Sequence, residues 1–361
     1  MASPTAKRIL VAPLDWGLGH ATRCIPIIRL LLSRGHEVMV AGDTGLLSET
    51  FPGLASFSLV RYNMTYAATP FGMALKFPAM VLRVLRKSRQ EHRELEALIE
   101  KHRIDVVISD QRFGCYSAKA RSIYLTHQLC VKMPNGFGFF EALVARSLRY
   151  AANRFHEVWV PDVPGQDNLT GDLTQKYPAP NHRRFIGVLS RFGTQAPAIG
   201  DGERIDLLVM LSGPEPQRTM FERKVLSHLR AFSGAAIVLL GRPNTILAEK
   251  YPHNIQVFAH LPSADIERFI RGANAIVCRG GYTTIMDLVS LKKKALLVPT
   301  PGQSEQEYLC ARLSRSSMFA SMDQETFDLR KGMDMLQRYS HSSLPKSDTT
   351  LLIEAFEANG L

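Results

Sequence analysis

The sequence predicts an α/β protein made of two parallel-sheet halves. Three observations carry this. Short continuous apolar runs recur along the chain, each bounded by turn residues, as expected of strands covered on both faces. Stretches with helical apolar spacing separate them, so strands and helices alternate in the manner of parallel βαβ units. The rhythm breaks once, at residues 190–204, where Gly193, Pro197, Gly200 and Gly202 stand among few apolar residues. A chain of 361 residues also suits two domains of about 100–200 residues each.

The elements follow in order. Arg8–Pro13 reads as a buried strand, Leu14–His20 as a loop, and Ala21–Ser33 as a helix with Ile27, Ile28, Leu31 and Leu32 at helical spacing. Gly35 stands where a helix commonly ends. Glu37–Gly42 is the next strand, closing a first β-loop-α-β unit. Further strands are read at Ile104–Ser109 (running to Asp110), Ile123–Thr126 (running to His127), Glu157–Val160 and Arg184–Val188. Residues 190–204 are the expected linker.

The second half repeats the scheme. Strands are expected at Ile205–Leu211, Ala235–Leu240, Ile255–Phe258, Ala275–Cys278 and Ala295–Pro299. Helices are expected at Met220–Phe232, Ala264–Ala273, Thr283–Leu291, Glu305–Leu313 and Thr349–Ala358. The domains are therefore read as 1–189, a linker at 190–204, 205–345, and a C-terminal helix within 346–361. In sheets of this Rossmann-like kind, ligands sit at the carboxyl ends of the strands. With two halves, the cleft between them is the expected site.

Charge and cysteines narrow the classes. The net charge is +11, and it is uneven. Residues 1–190 hold 24 basic and 15 acidic residues, and residues 191–361 hold 20 and 18. The first half should therefore favour an anion. Charge alone would allow nucleic acid, but no RRM, helix-turn-helix or zinc signature is present, so no nucleic-acid partner is expected. No run reaches the length of a membrane span, and no signal-peptide pattern opens the chain. The five scattered cysteines lack metal spacing and read as small buried hydrophobes, which fits a reducing cytoplasm.

Five loops carry candidate chemistry. Gly17-Leu-Gly-His20 follows the first strand and opens a helix, so Gly17 and Gly19 allow close backbone approach and the helix start favours negative charge. A Gly-x-Gly pair alone is also an ordinary tight turn, and the third glycine of the dinucleotide fingerprint is replaced by Thr22. His20 is the candidate general base. Asp110, at a strand end on the same sheet edge, is either the carboxylate that orients this imidazole or a turn cap. Asp15 is a rival partner for His20.

The third loop, Ser212-Gly213-Pro, resembles a phosphate-contacting turn, with Arg218 six residues on. It also reads as an ordinary proline turn. The fourth, Cys278-Arg279-Gly280-Gly281-Tyr282-Thr283-Thr284, leads into a helix holding Asp287. Its glycines and helix-start N–H groups suit a diphosphate, and Asp287 suits a ribose diol. The fifth, Pro299–Glu307, places Gln306 and Glu307 for sugar hydroxyls, although Ser304 and Glu307 also have capping-box spacing. Two further stretches join apolar residues to arginines: Phe71–Arg93, and Phe137–Phe140 with Arg146, Arg149 and Arg154. The first fits either an anionic membrane surface or a core helix running into a solvated one. The second fits an acceptor groove or core.

Together these residues resemble the GT-B nucleotide-sugar glycosyltransferases. They are most similar to the bacterial group containing the lipid II-forming N-acetylglucosaminyltransferase, of the family 28 C-terminal-domain type. The resemblance runs from Ile9 to about Leu313. Its most specific part is Ile276–Asp287, followed by Pro299 and Gln306-Glu307. It implies an α/β GT-B fold, with two Rossmann-like domains facing each other across a cleft and the C-terminal helix packing back on the first. In that family the glycine-rich helix start holds the donor diphosphate, and an acidic residue matching Asp287 binds the ribose. A Gln-Gln pair matching Gln306 and Glu307 contacts the sugar, and Glu307 departs from it. A loop His and a later strand-end Asp, matching His20 and Asp110, form the base in related transferases.

The implied reaction is inverting and metal-free, with no cofactor beyond the co-substrate. A GlcNAc-type sugar would pass from a UDP-sugar to an acceptor hydroxyl. Ser212, Arg279 and helix dipoles would meet the leaving charge. The acceptor is expected to be lipid-linked or anionic, with peripheral contact to the inner face of a membrane. The alternatives are a nucleotide-sugar 2-epimerase and a non-catalytic membrane- or partner-binding protein on the same scaffold.

Overall fold

The computed structural model describes residues 6–15, 18–42, 45–62, 70–133, 138–192, 205–242, 251–338 and 344–361, with backbone alone for 70–81. Most of the expected linker, 193–204, lies outside them. The chain divides into two units, Met1–Arg191 with Ser347–Leu361, and Phe192–Lys346.

The first unit runs β1 (Arg8–Pro13), α1 (Leu18–Ser33), β2 (Glu37–Ala41), α2 (Gly45–Thr50), β3 (Ala55–Phe57), α3 (Pro70–His102), β4 (Val106–Asp110), β5 (Arg121–Leu125), α4 (Glu141–Ala152), β6 (Glu157–Val160), α5 (Asp172–Gln175) and β7 (Arg183–Phe185). Its seven strands are ordered β3-β2-β1-β4-β5-β6-β7, and all pairs are parallel. Ile9, Leu10 and Val11 are fully buried, as a strand covered on both faces requires. Ile27, Ile28 and Leu31 form the buried stripe of α1.

The second unit runs β8 (Ile205–Met210), α6 (Gln217–Leu229), β9 (Ala236–Leu239), β10 (Ile255–Phe258), α7 (Ser263–Gly272), β11 (Ala273–Cys278), α8 (Tyr282–Ser290), β12 (Leu296–Leu297), α9 (Ser304–Arg315), β13 (Ala320–Ser321) and α10 (Leu329–Gln337). The sheet order is β10-β9-β8-β11-β12-β13, again parallel. Phe221 and Val225 of α6 pack on Leu207, Val209 and Val277 in its core.

The last helix, α11 (Thr350–Ala358), belongs to the first unit. Phe356 stacks on buried Trp159 at 5.7 Å between ring centroids, and Asn359 donates to Glu157. Both sheets reverse direction of growth at one point, between β1 and β4 and between β8 and β11. Such switch points are where doubly wound sheets open a crevice at the strand carboxyl ends.

Several elements differ from expectation. Helix α1 starts at Leu18, so His20 lies within its first turn. The Phe71–Arg93 stretch is part of one 33-residue helix, α3. Its described side chains face solvent over 82–90, with Leu82 59% and Leu85 50% exposed. Residues 71–81, where the core reading falls, lie outside the described side chains, and beyond them burial begins at Glu91, Leu95 and Ile99. Helices α4 and α10 and the short elements α2, β3, α5 and β13 were not anticipated, the last four being too brief to signal.

Candidate active site

The switch point of the first sheet gathers the titratable groups. Pro13 pairs with Asp110 in register, and the Leu14 N–H donates to the Asp110 carbonyl at 3.0 Å. The loop leaving β1 and the end of β4 are therefore adjacent, although 90 residues separate His20 from Asp110. His20 Nδ1 lies 3.0 Å from Asp110 Oδ2, with the carboxylate fully buried and the imidazole 12% exposed. Asp110 is thus the partner of His20 and caps no turn.

A buried carboxylate needs a counter-charge, because desolvation strongly disfavours the lone ion. Arg23 supplies it. It stands three residues after His20, on the same helix face. Its Nε donates to Asp110 Oδ2 at 2.7 Å and its Nη2 donates to Oδ1. Its Nη1 donates to His127 Nδ1 at 2.8 Å. Burial pushes the Asp110 carboxyl up, but Arg23 and His20 outweigh it and hold the group below the ordinary carboxylate range. Burial lowers His20, the Arg23 charge lowers it further, and Asp110 opposes both without reversing them. The imidazole is therefore neutral near pH 7, as a proton acceptor must be. Among the described residues nothing hydrogen-bonds His20 Nε2.

Asp15 is not the partner of His20. Its carboxylate lies 3.5 Å from Arg112, which is fully buried and donates to Glu91 Oε1 at 2.7 Å and to the Pro13 carbonyl at 2.8 Å. Glu91 in turn accepts from Tyr62 and the Gly114 N–H. This second charge network holds the base of the loop from beneath. Gly19 lies in the first turn of α1, and Gly17 lies outside the described residues. Thr22, at the place of the third fingerprint glycine, turns its hydroxyl back to the Leu18 carbonyl.

In the second unit, three loops meet at the carboxyl edge of the sheet. Gly213 has φ +102°, a value side chains rarely adopt, and a Cβ there would stand 3.3 Å from the Thr300 hydroxyl. Ser212 and Gly213 are exposed. The Thr300 N–H donates to Gln306 Oε1 at 3.0 Å, and Gln306 donates to Gln303. Glu307 accepts from the Gly302 N–H at 2.8 Å. Helix α9 begins at Ser304 with Gln303 at the cap position, and the Glu307 carboxylate reaches two residues behind Ser304 to the Gly302 N–H.

The glycine-rich helix start divides in role. A Cβ on Gly280 would fall 2.2 Å from Cys310 Sγ, so this glycine lets α9 close on the loop. A Cβ on Gly281 would meet nothing within 4 Å. Gly281 caps α8 without a side chain, and the helix-start residues Tyr282, Thr283 and Thr284 follow it. Positive dipole and N–H groups at such a start suit an anion. Asp287 lies in the second turn, 3% exposed.

Two arginines do not act as expected. Arg279 is 1% exposed and donates to the Pro299 and Gln217 carbonyls and to Gln324, with its guanidinium 4.3 Å from the Phe221 ring. Burial lowers it to about 10. It ties the loops at Pro299, Gln217 and Gln324 together. Arg218 is paired with Glu215 and Glu222 and donates to the Leu240 carbonyl. Burial, which a sequence does not display, turns both into framework residues.

Sequence reasoning missed three groups. Arg23 and His127 complete the His20 cluster, and the signal for Arg23 was a lone charge on an otherwise apolar helix face. The Thr300 hydroxyl is buried without a hydrogen-bond partner among the described residues, beside Gly213. The five cysteines are free and buried. Among the described residues no group of three or more His, Cys, Asp or Glu side chains is placed to hold a metal, and no helix is long and apolar enough to cross a membrane.

Comparison with known proteins places this geometry. Residues 238–349, which include α8 and α9, match the Glycosyltransferase family 28 C-terminal domain. A protein of Methanosarcina mazei named as an uncharacterized glycosyltransferase is 24% identical over 332 residues, covering 83% of this chain and 81% of its own. One of Methanosarcina acetivorans with the same description is 23% identical over 335 residues, with the same coverage of each chain. Among solved structures, the spinosyn rhamnosyltransferase SpnG complexed with thymidine diphosphate superposes with a TM-score of 0.63 at 17% identity, covering 93% of each chain. The glycosyltransferase of kitacinnamycin gives 0.63 at 18%, covering 94% and 93%. The fold is that of the GT-B glycosyltransferases, and the match to the glycosyltransferase family 28 C-terminal domain lies within residues 238–349.

Proposed function

We propose that this GT-B protein is an inverting, metal-independent glycosyltransferase that moves a GlcNAc-type sugar from a UDP-sugar to an acceptor hydroxyl. The observation that carries the reading is His20, neutral and backed by the buried Asp110 at the switch point of the first sheet. With Nδ1–H turned to Asp110, Nε2 takes the proton of the acceptor hydroxyl. The freed oxygen attacks the anomeric carbon, the bond from that carbon to the diphosphate oxygen breaks, and the electron pair leaves on the diphosphate. Gly281, Tyr282, Thr283 and Thr284 at the start of α8, with exposed Ser212, meet that charge. Asp287 takes the ribose diol, and Gln306 and Glu307 take sugar hydroxyls.

The acceptor belongs with the first unit in this reading. Phe139, Leu143 and Tyr150 are 72%, 60% and 74% exposed and stand on one face of α4 and the turn before it. Arg146 and Arg149 accompany them, and the acid of this helix, Glu141, is buried against Lys176. An apolar row with basic flanks suits a lipid-linked or anionic acceptor and peripheral contact with an anionic membrane. A cytoplasmic enzyme on the inner face fits the free cysteines.

The test is a thermal-shift series with UDP, dTDP, GDP and CDP, followed by turnover assays. UDP should raise Tm most. A larger shift with dTDP, the nucleotide held by the spinosyn enzyme, would replace UDP in the proposal. Epimer formation from donor alone would favour the epimerase, and no shift with any nucleotide would favour a non-catalytic role.

A further inference from the structure

His20 Nδ1 has two neighbours that ask opposite things of it. Arg23 Nη2 lies 2.6 Å away and is a donor, whereas Asp110 Oδ2 lies 3.0 Å away and is an acceptor. A donor at Nδ1 requires a lone pair there, which puts the neutral ring's proton on Nε2. An acceptor at Nδ1 requires the proton there, which leaves Nε2 with the lone pair. Only the second form can take a proton from a hydroxyl. In a plain His–Asp pair the carboxylate always selects that form and also makes the ring more basic.

Here the pair has a third member. Arg23 binds both carboxylate oxygens, is 2% exposed, and is held from its other side by His127. The charged and titratable groups facing His20 are Arg23 on its own helix, Asp110 at the end of β4 and His127 just after β5, while Asp15 of the β1 loop faces Arg112. We infer that Arg23 is a positioning residue for the base: it claims the Asp110 carboxylate and sets which ring nitrogen holds the proton. When His20 accepts a proton at Nε2, both ring nitrogens carry hydrogen. Because the accepting ring already carries a proton on Nδ1, Nη2 must leave Nδ1 before that step, while Nε can stay on Oδ2 and Nη1 on His127. The arrangement offers a neutral base at neutral pH at the cost of an idle tautomer.

The inference rests on His20 being the base, and its test needs neither donor nor acceptor. The probe is ¹⁵N NMR of the His20 imidazole through a pH titration, with the signal identified by its loss in His20→Ala. In Arg23→Met, proton uptake by the His20–Asp110 pair should move up by at least about one pH unit, because a neighbouring cation is gone. The neutral ring should shift toward the Nδ1–H form. Once turnover is assayed, the acid limb of its pH profile should move up with it. Because Arg23→Met leaves Asp110 buried with one partner, a second pair avoids the lone charge. Asp110→Asn should lower the His20 midpoint, and adding Arg23→Met should raise it again. An unchanged midpoint and tautomer in folded Arg23→Met, or no effect of Arg23→Met in the Asp110→Asn background, would overturn the inference. Absence of transferase activity with an intact NMR response would instead count against the reaction.

Discussion

The two units share one topology and differ in what they place at the switch point. Both sheets grow outward from a central strand pair, β1 with β4 and β8 with β11. The first unit fills the crevice edge with buried polar groups: Asp110 bonded to His20 and Arg23, and Arg23 in turn to His127. The second unit turns its two candidate arginines into framework and leaves a helix start, glycines and hydroxyls. The difference teaches what each edge is built for. Moving a proton needs a titratable group with a controlled environment. Holding a diphosphate needs oriented N–H groups and room for the ligand.

This contrast can be broken most directly at His20. In His20→Ala, turnover should fall by about 10²–10⁴-fold, the usual contribution of a positioned base. The thermal shift with nucleotide should persist. Retained turnover, or loss of the nucleotide-induced shift, would place His20 on the wrong side of the comparison.

Asp110→Ala should cost about 3–5 kcal/mol in urea unfolding, because it strands the buried Arg23. The same pair predicts an acid-sensitive fold. Asp110 is held low when folded, so the unfolded chain takes up its proton first. Its stabilisation is whole above the ordinary value of 3.8 and is lost as pH falls through the lower folded value. His20 is also depressed, so its share erodes as pH falls below its ordinary value of 6.5. Both signs agree: ΔG of unfolding should drop on acidification, and Asp110→Ala should flatten the lower limb of that profile.

In the second unit, Gly280→Ala and Gly281→Ala should separate packing from binding. The first puts a methyl onto Cys310 and should destabilise by about 1–3 kcal/mol, as overpacking does. The second has open space and ordinary backbone angles, so Tm should hold while the nucleotide-induced shift falls. Equal effects on Tm would merge the roles assigned to the two glycines. Asp287→Ala should give the smallest change, about tenfold in nucleotide Kd from the loss of one charged hydrogen-bonding group. Unchanged affinity would remove the ribose assignment.

Much of this was legible in the residues. The apolar runs of β1, β4, β8 and β11 announce strands because a parallel sheet covers both faces. His20 and Asp110 stand out because loops at strand ends carry chemistry in such sheets. Asp15 and Arg279 misled because each is a charge whose partner lies far along the chain, whereas Arg218 is taken up by its helix neighbours Glu215 and Glu222. Arg112 reaches Asp15, and Arg279 reaches Gln324 across 45 residues. The capping reading of Ser304 misplaced its helix start by one residue, and the Glu307 carboxylate accepts from the Gly302 N–H.

By itself, the sequence determined the alternation of elements, the break between two halves, the strand-end loops and the glycine-rich start of α8. Those follow from local properties: apolar period, turn chemistry and backbone freedom. Only the tertiary structure decided which charges are chemistry and which are scaffold. Burial and pairing depend on which strands lie side by side, and β1 meets β4 only after the intervening residues 14–105. That adjacency delivers Asp110 to His20, and Arg23 to both.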